Sequence, residues 1–520
     1  MHSVRSKNMV SKITTFAVHG ISAIKVEVQV HLSGKTPQIM FIGLPDTAIK
    51  EAQYRIKIGL RNTGYAFPNQ KVIIHLAPAN LKKQGSQYDL PMTIGILVAT
   101  KEISPELIHK VAFVGEIGLD GSILPVSGIV AMVEAAFRLG FTKMILPRAN
   151  AIEATFCEKV KIYPVSHLRD VIRIINNWDE AKPFEEQFID LEESKIDYKE
   201  VVGQEYSKRA MLIAAAGLHH CLMIGSPGSG KTMLAQRLPT ILPPLTLEES
   251  METTRIYSIA GLLTKHSGRI TMPPFRAPHH TISAAGMAGG GSNPRPGELS
   301  LANHGILFLD ELAEFPKRAL EVLRQPFESG VVTIARAKDT VTYPAHFLLI
   351  AAMNPCPCGY YNDPVKNCSC SLQAVHAYRH KISGPLMDRF DLQIQVDRIH
   401  FDDIMLHTPK GVDSYTMKQQ VMQTREIQLK RWASYGFTSN SAIPAQLLIE
   451  HCALDDKTEQ IFKKAMEQRC LSARAVHKIL RVARTIADLD CSNHIQMKHI
   501  IEALQYRTLD SDNVSYSSYK

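Results

Sequence analysis

The sequence predicts an α/β protein with two cored parts and a helical C-terminal region, and three observations carry that prediction. A glycine-rich phosphate-loop pattern, Gly225 to Thr232, follows a strand-like run and opens a helix-like one. Short apolar runs alternate with helical patterns on both sides of an acidic stretch. Beyond Asp397 strand signals fade and helical periodicity takes over. The chain has 520 residues, more than the roughly 250 to 300 that one hydrophobic core serves, so several domains are expected.

In chain order, residues 1–177 read as a compact α/β domain, with β-like runs at Ile24–Val30 and Lys71–Leu76 and a helical stretch at Gly128–Leu139. Residues 178–200 form an acidic connector carrying Glu185, Glu186, Asp190, Glu192, Glu193 and Asp197. Residues 201–398 alternate apolar runs (Cys221–Ile224, Ile306–Leu309, Phe347–Ala351) with helical patterns, as a parallel sheet requires. Residues 399–509 read as a helical lid, with long patterns at Asp455–Gln468 and Ala473–Asp488, before a polar tail, 510–520.

Composition excludes several classes. Apolar residues at 45% and charged residues at 21% are ordinary for a globular protein, and no apolar run of about 18 residues is present to cross a bilayer. The N-terminus lacks the apolar segment of a secretory signal, which with nine unevenly spaced cysteines predicts a cytoplasmic chain with reduced thiols. Lys and Arg exceed Asp and Glu by 59 to 50, a balance that suits a phosphate-rich partner.

Gly225, Ser226, Pro227, Gly228, Ser229, Gly230, Lys231 and Thr232 fit G-x-x-x-x-G-K-[ST]. The glycines let backbone N–H groups curl around anionic oxygens, Lys231 reaches the terminal phosphates, and the Thr232 hydroxyl ligates Mg²⁺. The run Ile306–Leu309 ends in Asp310 and Glu311, the first placed to hold the metal and the second to polarise an attacking water. Leu348–Met353 ends in Asn354, whose amide is placed to orient the same water. Arg389 and Arg474, read alone, fit structural ion pairs.

Cys356, Cys358, Cys368 and Cys370 flank a turn region and are candidate ligands for a structural Zn²⁺, the alternative being four reduced thiols in a loop. Gly289–Gly297 reads as a mobile glycine-rich loop carrying Arg295, and Gly330–Thr342 as a hairpin with Arg336 and Lys338 near its tip. These are candidate contacts for a phosphate backbone, or solvated charges.

Taken together, these residues resemble an AAA+ ATPase, and the match is closest to the magnesium-chelatase-like family known as ComM or YifB. The markers are Gly43–Ala48, Leu76–Leu81, Asp89–Pro91, Arg276–His280, Met353–Gly359 and Ala483–Leu489, which together cover nearly the whole chain. The resemblance implies that Asn354 senses the γ-phosphate, that Arg389 is a finger offered to a neighbour's ATP, and that Arg474 is the lid sensor. It also implies an adenine-side segment at Val201–Gln204, a homohexameric ring, and pore-facing basic hairpins in a helix-2 insert. The function implied is ATP-driven helicase and branch-migration work on DNA recombination intermediates formed in natural transformation. A protein-remodelling or chelatase-type ATPase is the second reading, although this chain lacks the integrin-like metal site of a chelatase partner.

Residues 1–177 are similar to the proteolytic domain of Lon, most clearly from Gly115 to Ile129, which brings in a Ser-Lys protease as a third reading. The positions aligned with the nucleophile and its lysine hold Gln87 and Val130, and neither side chain performs its step. Ser86, one residue away, still lacks a base. The resemblance therefore implies a scaffold.

Overall fold

The computed structural model describes residues 10–34, 36–156, 159–185, 196–263, 268–291, 294–335, 340–398, 411–469 and 471–507. Residues 186–195 of the acidic connector, the start of the lid region and the polar tail lie outside the described residues, as do Arg336 and Lys338.

The N-terminal part is built on a seven-stranded mixed sheet: β1 (Ser11–His19), β2 (Ser22–Ser33), β3 (Ile39–Ile42), β4 (Lys71–Ala77), β5 (Val111–Phe113), β6 (Lys143–Pro147) and β7 (Lys161–Val165). Their order is β3-β4-β2-β1-β5-β6-β7. Period-two alternation in β2 sends Val26, Val28 and Val30 into the core. The helix Asp89–Ala99 packs on that face through Gly95, where an added Cβ would lie 2.6 Å from a Val30 methyl. The connector's first residues belong to this body: the Trp178 ring meets Tyr163 edge-on at 5.0 Å, and Lys143 sits over it at 3.9 Å.

The second body is the expected parallel sheet of five strands, β8 (Cys221–Ile224), β9 (Phe275–Arg276), β10 (Ile306–Leu309), β11 (Leu348–Met353) and β12 (Leu392–Gln395), ordered β9-β10-β11-β8-β12. Strands β10 and β11 are buried throughout, as strands covered on both faces must be, which is why they read as continuous apolar runs. Because all five run the same way, the residues that follow β8, β10 and β11 gather on one edge of the sheet. Those that precede β8, β11 and β12 gather on the other.

The C-terminal helices, chiefly Ser414–Trp432, Asp456–Gln468, Ala473–Leu489 and Met497–Gln505, enclose the fully buried Trp432. Arg431 grips the buried Asp488 carboxylate with two bonds of 2.7 and 2.6 Å, and Arg484 bonds it as well. The helical region expected after the core is present, but it is tied to the side of the core. Lys478 donates to the backbone carbonyls of Asp388 and Phe390, Arg507 donates to Phe390 at 2.8 Å, and Gln428 donates to the Ala216 carbonyl at 3.1 Å. These anchors precede β8 and β12, so they fix the helices toward the edge opposite the phosphate loop.

The two α/β bodies meet along the helix Leu247–Ala260. The amide of Gly128 donates to the Ser258 carbonyl at 2.9 Å, and Arg255 pairs with Glu134 at 2.9 Å. Ser258 also donates its hydroxyl to Glu153 at 2.8 Å, while Asn150 donates to the other carboxylate oxygen. Burial pushes the Glu153 carboxyl up to about 7, against the two hydrogen bonds that favour its charge. A raised carboxyl favours the folded state most below its ordinary value, and this contribution is lost as pH rises through about 7. Glu153→Gln keeps an acceptor without the charge. Its melting temperature at pH 8 is expected to exceed that of the parent by about 5 °C, the two converging near pH 5, in calorimetric scans.

Candidate active site

The phosphate loop connects β8 to the helix Lys231–Arg237. Gly228 and Gly230 take φ of 78° and 89°, a left-handed region open to glycine, and so the backbone curls into an anion cradle at the positive end of the helix. Inside the curl, the Lys231 ammonium donates to the carbonyls of Gly225 at 2.7 Å and Ser226 at 3.0 Å. Burial lowers its pKa, while Asp310 and Glu311 draw it upward. Gln204 of the expected adenine-side segment donates to Ser229 O at 2.7 Å and Asp397 O at 2.9 Å, joining that segment to the loop.

Thr232 donates its hydroxyl to Asp310 at 2.7 Å, so the two expected magnesium ligands lie side by side. A hydroxyl and a carboxylate are hard oxygen donors and fit Mg²⁺. The next residue, Glu311, has φ of 52°, which costs a non-glycine residue about 1 to 2 kcal/mol. That turn aims its half-exposed carboxylate at His280, whose Nδ1 lies 3.0 Å away. His280 is a site residue that the sequence reading left without a role. The signal was present in the Arg276–His280 marker, which leaves β9 beside β10. Arg276 itself is clamped by Glu298 through bonds of 2.7 and 2.8 Å. Asn354 follows β11 on the same edge, so Lys231, Thr232, Asp310, Glu311 and Asn354 converge as expected.

Arg389 and Arg474 lie elsewhere. Both line a cleft of about 870 Å³ at the opposite edge of the sheet, with His220, Arg425, Lys478 and Arg481. Four residues of β8 at about 3.3 Å each separate the two edges by more than 10 Å. Each has an acidic neighbour: Arg389 pairs with Glu328 at 2.7 Å, and Arg474, 81% exposed, lies 3.6 Å from Asp388. A lid sensor at Arg474 therefore faces away from the nucleotide of its own chain. Beneath the cleft, burial disfavours a charged Asp391, yet Lys478 and His219 overcome that and hold its carboxyl below the usual range. Burial drives His220 down to about 4.

The four cysteines come together, with sulfurs within 4.8 Å of one another. Gly289–Gly290 pairs with Arg295–Pro296 as a short antiparallel ribbon, where the sequence suggested a mobile loop. The hairpin Val331–Ala335 with Thr340–Pro344 is formed as expected, and Tyr343 donates to the Pro294 carbonyl at 2.8 Å, which sets the two ribbons side by side. Arg295 is exposed there. In the N-terminal body, Val130 is buried and its amide meets the Ser258 hydroxyl at 3.4 Å, so the position aligned with a catalytic lysine is occupied by the interdomain contact. Ser86 donates to Glu116, an acidic acceptor.

Three family models match the chain. The model described as "Magnesium chelatase, subunit ChlI" matches residues 197–404, "Subunit ChlI of Mg-chelatase" matches 28–150, and "Magnesium chelatase, subunit ChlI C-terminal" matches 411–507. The chain is 37% identical over 498 residues to the YifB protein of Salmonella typhimurium, covering 96% of this chain and 97% of that one. It is 38% identical over 496 residues to Competence protein ComM of Haemophilus influenzae, covering 94% and 96%. An archaeal Lon protease of Methanocaldococcus jannaschii is 28% identical over 111 residues, 21% of this chain and 17% of that one.

Proposed function

We propose that this chain, which belongs to the ComM and YifB family of magnesium-chelatase-like AAA+ ATPases, works as an ATP-driven homohexameric motor that moves branched DNA. The observation that carries the reading is the split of the catalytic parts between two edges of one sheet. One edge carries a phosphate cradle with its metal ligands and base, and the other carries a basic cleft of nucleotide size. Repeating such a unit head to tail sets the cleft of one copy against the phosphates of the next, and a rotation that closes makes a ring.

Within one such interface, Lys231 and the loop amides bind the β- and γ-phosphates, and Asn354 orients the attacking water. Glu311 takes a proton from that water once its carboxylate turns from His280. The neighbour's Arg389 and Arg474 stabilise charge on the transferring group. Thr232 and Asp310 would hold Mg²⁺, which would supply neutralisation of phosphate charge there.

DNA is the substrate favoured by three facts: the net positive charge, the exposed Arg295 on the paired ribbons together with the basic Arg336 and Lys338 in the sequence between Ala335 and Thr340, and the competence protein among the close relatives. Such contacts give salt-dependent affinity without sequence preference. That relative makes natural transformation the setting we favour. Among the described residues no helix is long and apolar enough to cross a membrane.

The test is ATPase rate with and without a four-way DNA junction, together with strand exchange on that junction. Stimulated hydrolysis with exchange is expected; hydrolysis indifferent to DNA, with no exchange, would return the chain to the protein-remodelling or chelatase-type class.

A further inference from the structure

We propose that Cys356, Cys358, Cys368 and Cys370 bind one structural Zn²⁺, and that the resulting knuckle holds the phosphate loop in its nucleotide-accepting shape. The first half rests on sulfur geometry. A Zn–S distance of about 2.3 Å puts the sulfurs of a tetrahedron about 3.8 Å apart. Here Cys356 lies 3.4 Å from Cys358 and 3.7 Å from Cys368, and Cys358 lies 3.5 Å from Cys368. Two backbone amides point at sulfur, from Cys358 to Cys370 and from Cys370 to Cys368, each at 3.4 Å. Amide donors of this kind satisfy thiolate charge around a metal. Four thiolates close the coordination shell, leaving no open position for a substrate, and soft tetrahedral sulfur selects zinc or iron, of which only zinc is silent to redox change.

The second half rests on what the knuckle touches. It springs directly from β11, two residues after Asn354, and folds back over the loop after β8. Asp363, in the turn between the cysteine pairs, accepts the Ser226 hydroxyl at 2.5 Å. Its other oxygen accepts the amides of Val365 and Lys366, both at 2.9 Å, and Arg398 lies 3.0 Å from the oxygen that Ser226 uses. Asp363 is thus fastened to the knuckle, to the phosphate loop and to Arg398, three residues beyond β12, at once. Gly359, with φ of 86°, presses on the same loop: a Cβ there would lie 2.7 Å from the Pro227 ring. Ser226 is therefore gripped twice, its hydroxyl by Asp363 and its carbonyl by Lys231. Loss of the metal frees the turn, and with it the cradle that Lys231 spans.

The inference rests on the nucleotide site proposed above, and its test separates the two. Full-length protein purified without chelators is expected to carry one zinc per chain by elemental analysis. A mercurial titration should release that zinc while affinity for a fluorescent ADP analogue falls at least about tenfold, the scale of a small misplacement in a site. Asp363→Ala leaves all four thiolates in place but removes the acceptor shared by Ser226, Val365 and Lys366, so it should keep zinc and lose affinity by a similar factor; Asp363→Asn, whose single oxygen can still accept from Ser226, should recover part of it. This pair decides the question even where a cysteine variant fails to fold. Iron or no metal in the purified protein would overturn the proposal, as would unchanged affinity after zinc release or in Asp363→Ala. Zinc-loaded parent protein that ignores nucleotide would instead sink the ATPase reading.

Discussion

Glu311→Gln should form rings and bind ATP like the parent, yet turn over roughly 10² to 10⁴ times more slowly, the range spanned by loss of a general base. The amide keeps the shape of the side chain and its contact to His280 but accepts no proton, and Asp310 and Thr232 remain in place beside it. Lys231→Ala fails earlier. Its ammonium is the charged group that closes the loop, and removal strips the donor to phosphate while leaving the Gly225 and Ser226 carbonyls unpaired. Nucleotide binding should then fall below detection in equilibrium titration, with zinc content and fold preserved. Normal turnover by Glu311→Gln would transfer the base to another residue. The two variants together separate binding from chemistry, since one stops the cycle before ATP arrives and the other after.

Legibility in the sequence followed how local each feature is. The phosphate loop, β8, β10 and β11 could be read because consecutive residues define them: glycines that permit left-handed φ, and buried runs that need apolar side chains at every position. The cysteine knuckle was legible as composition, and only folding showed the sulfurs within one shell. His280 was hidden because its importance comes from β9 lying beside β10, a pairing between residues about thirty apart that no local pattern announces. Where the helical region docks was hidden for the same reason. Helical periodicity gives each helix its apolar face, but the anchors that decide where the group docks are Lys478, Arg507 and Gln428 reaching backbone carbonyls of the core. Such bonds use donors that look like surface charge in a sequence. The ribbon of Gly289–Gly290 with Arg295–Pro296 reads as a loose loop because glycine carries no side-chain signal; there only glycine fits, since a Cβ on Gly289 would lie 2.3 Å from the Arg295 carbonyl.

Arg389→Ala should lower turnover by roughly 10³ to 10⁵ while leaving nucleotide affinity within a few fold, because the finger acts on charge that develops in the transition state. The geometry adds a sharper expectation. Arg389 sits across the sheet from Lys231 in its own chain, so the defect belongs to the neighbour's site. Mixing Arg389→Ala subunits with Glu311→Gln subunits, each inactive alone, creates interfaces where an intact Glu311 faces an intact Arg389. Random mixing in equal amounts makes about one interface in four of this kind, and hydrolysis should return to about that fraction of the parent rate. Arg474 shares the edge, and Arg474→Ala should be rescued in the same mixtures. A sensor serving its own chain would give the opposite result, because the subunit with intact Glu311 would then lack the arginine it needs. Recovery for Arg389 without recovery for Arg474 would mean that the helical region swings across the sheet during the cycle. Lys478 and Arg507, fastened to the carbonyl of Phe390, oppose that swing, since both buried bonds would have to break on every turnover.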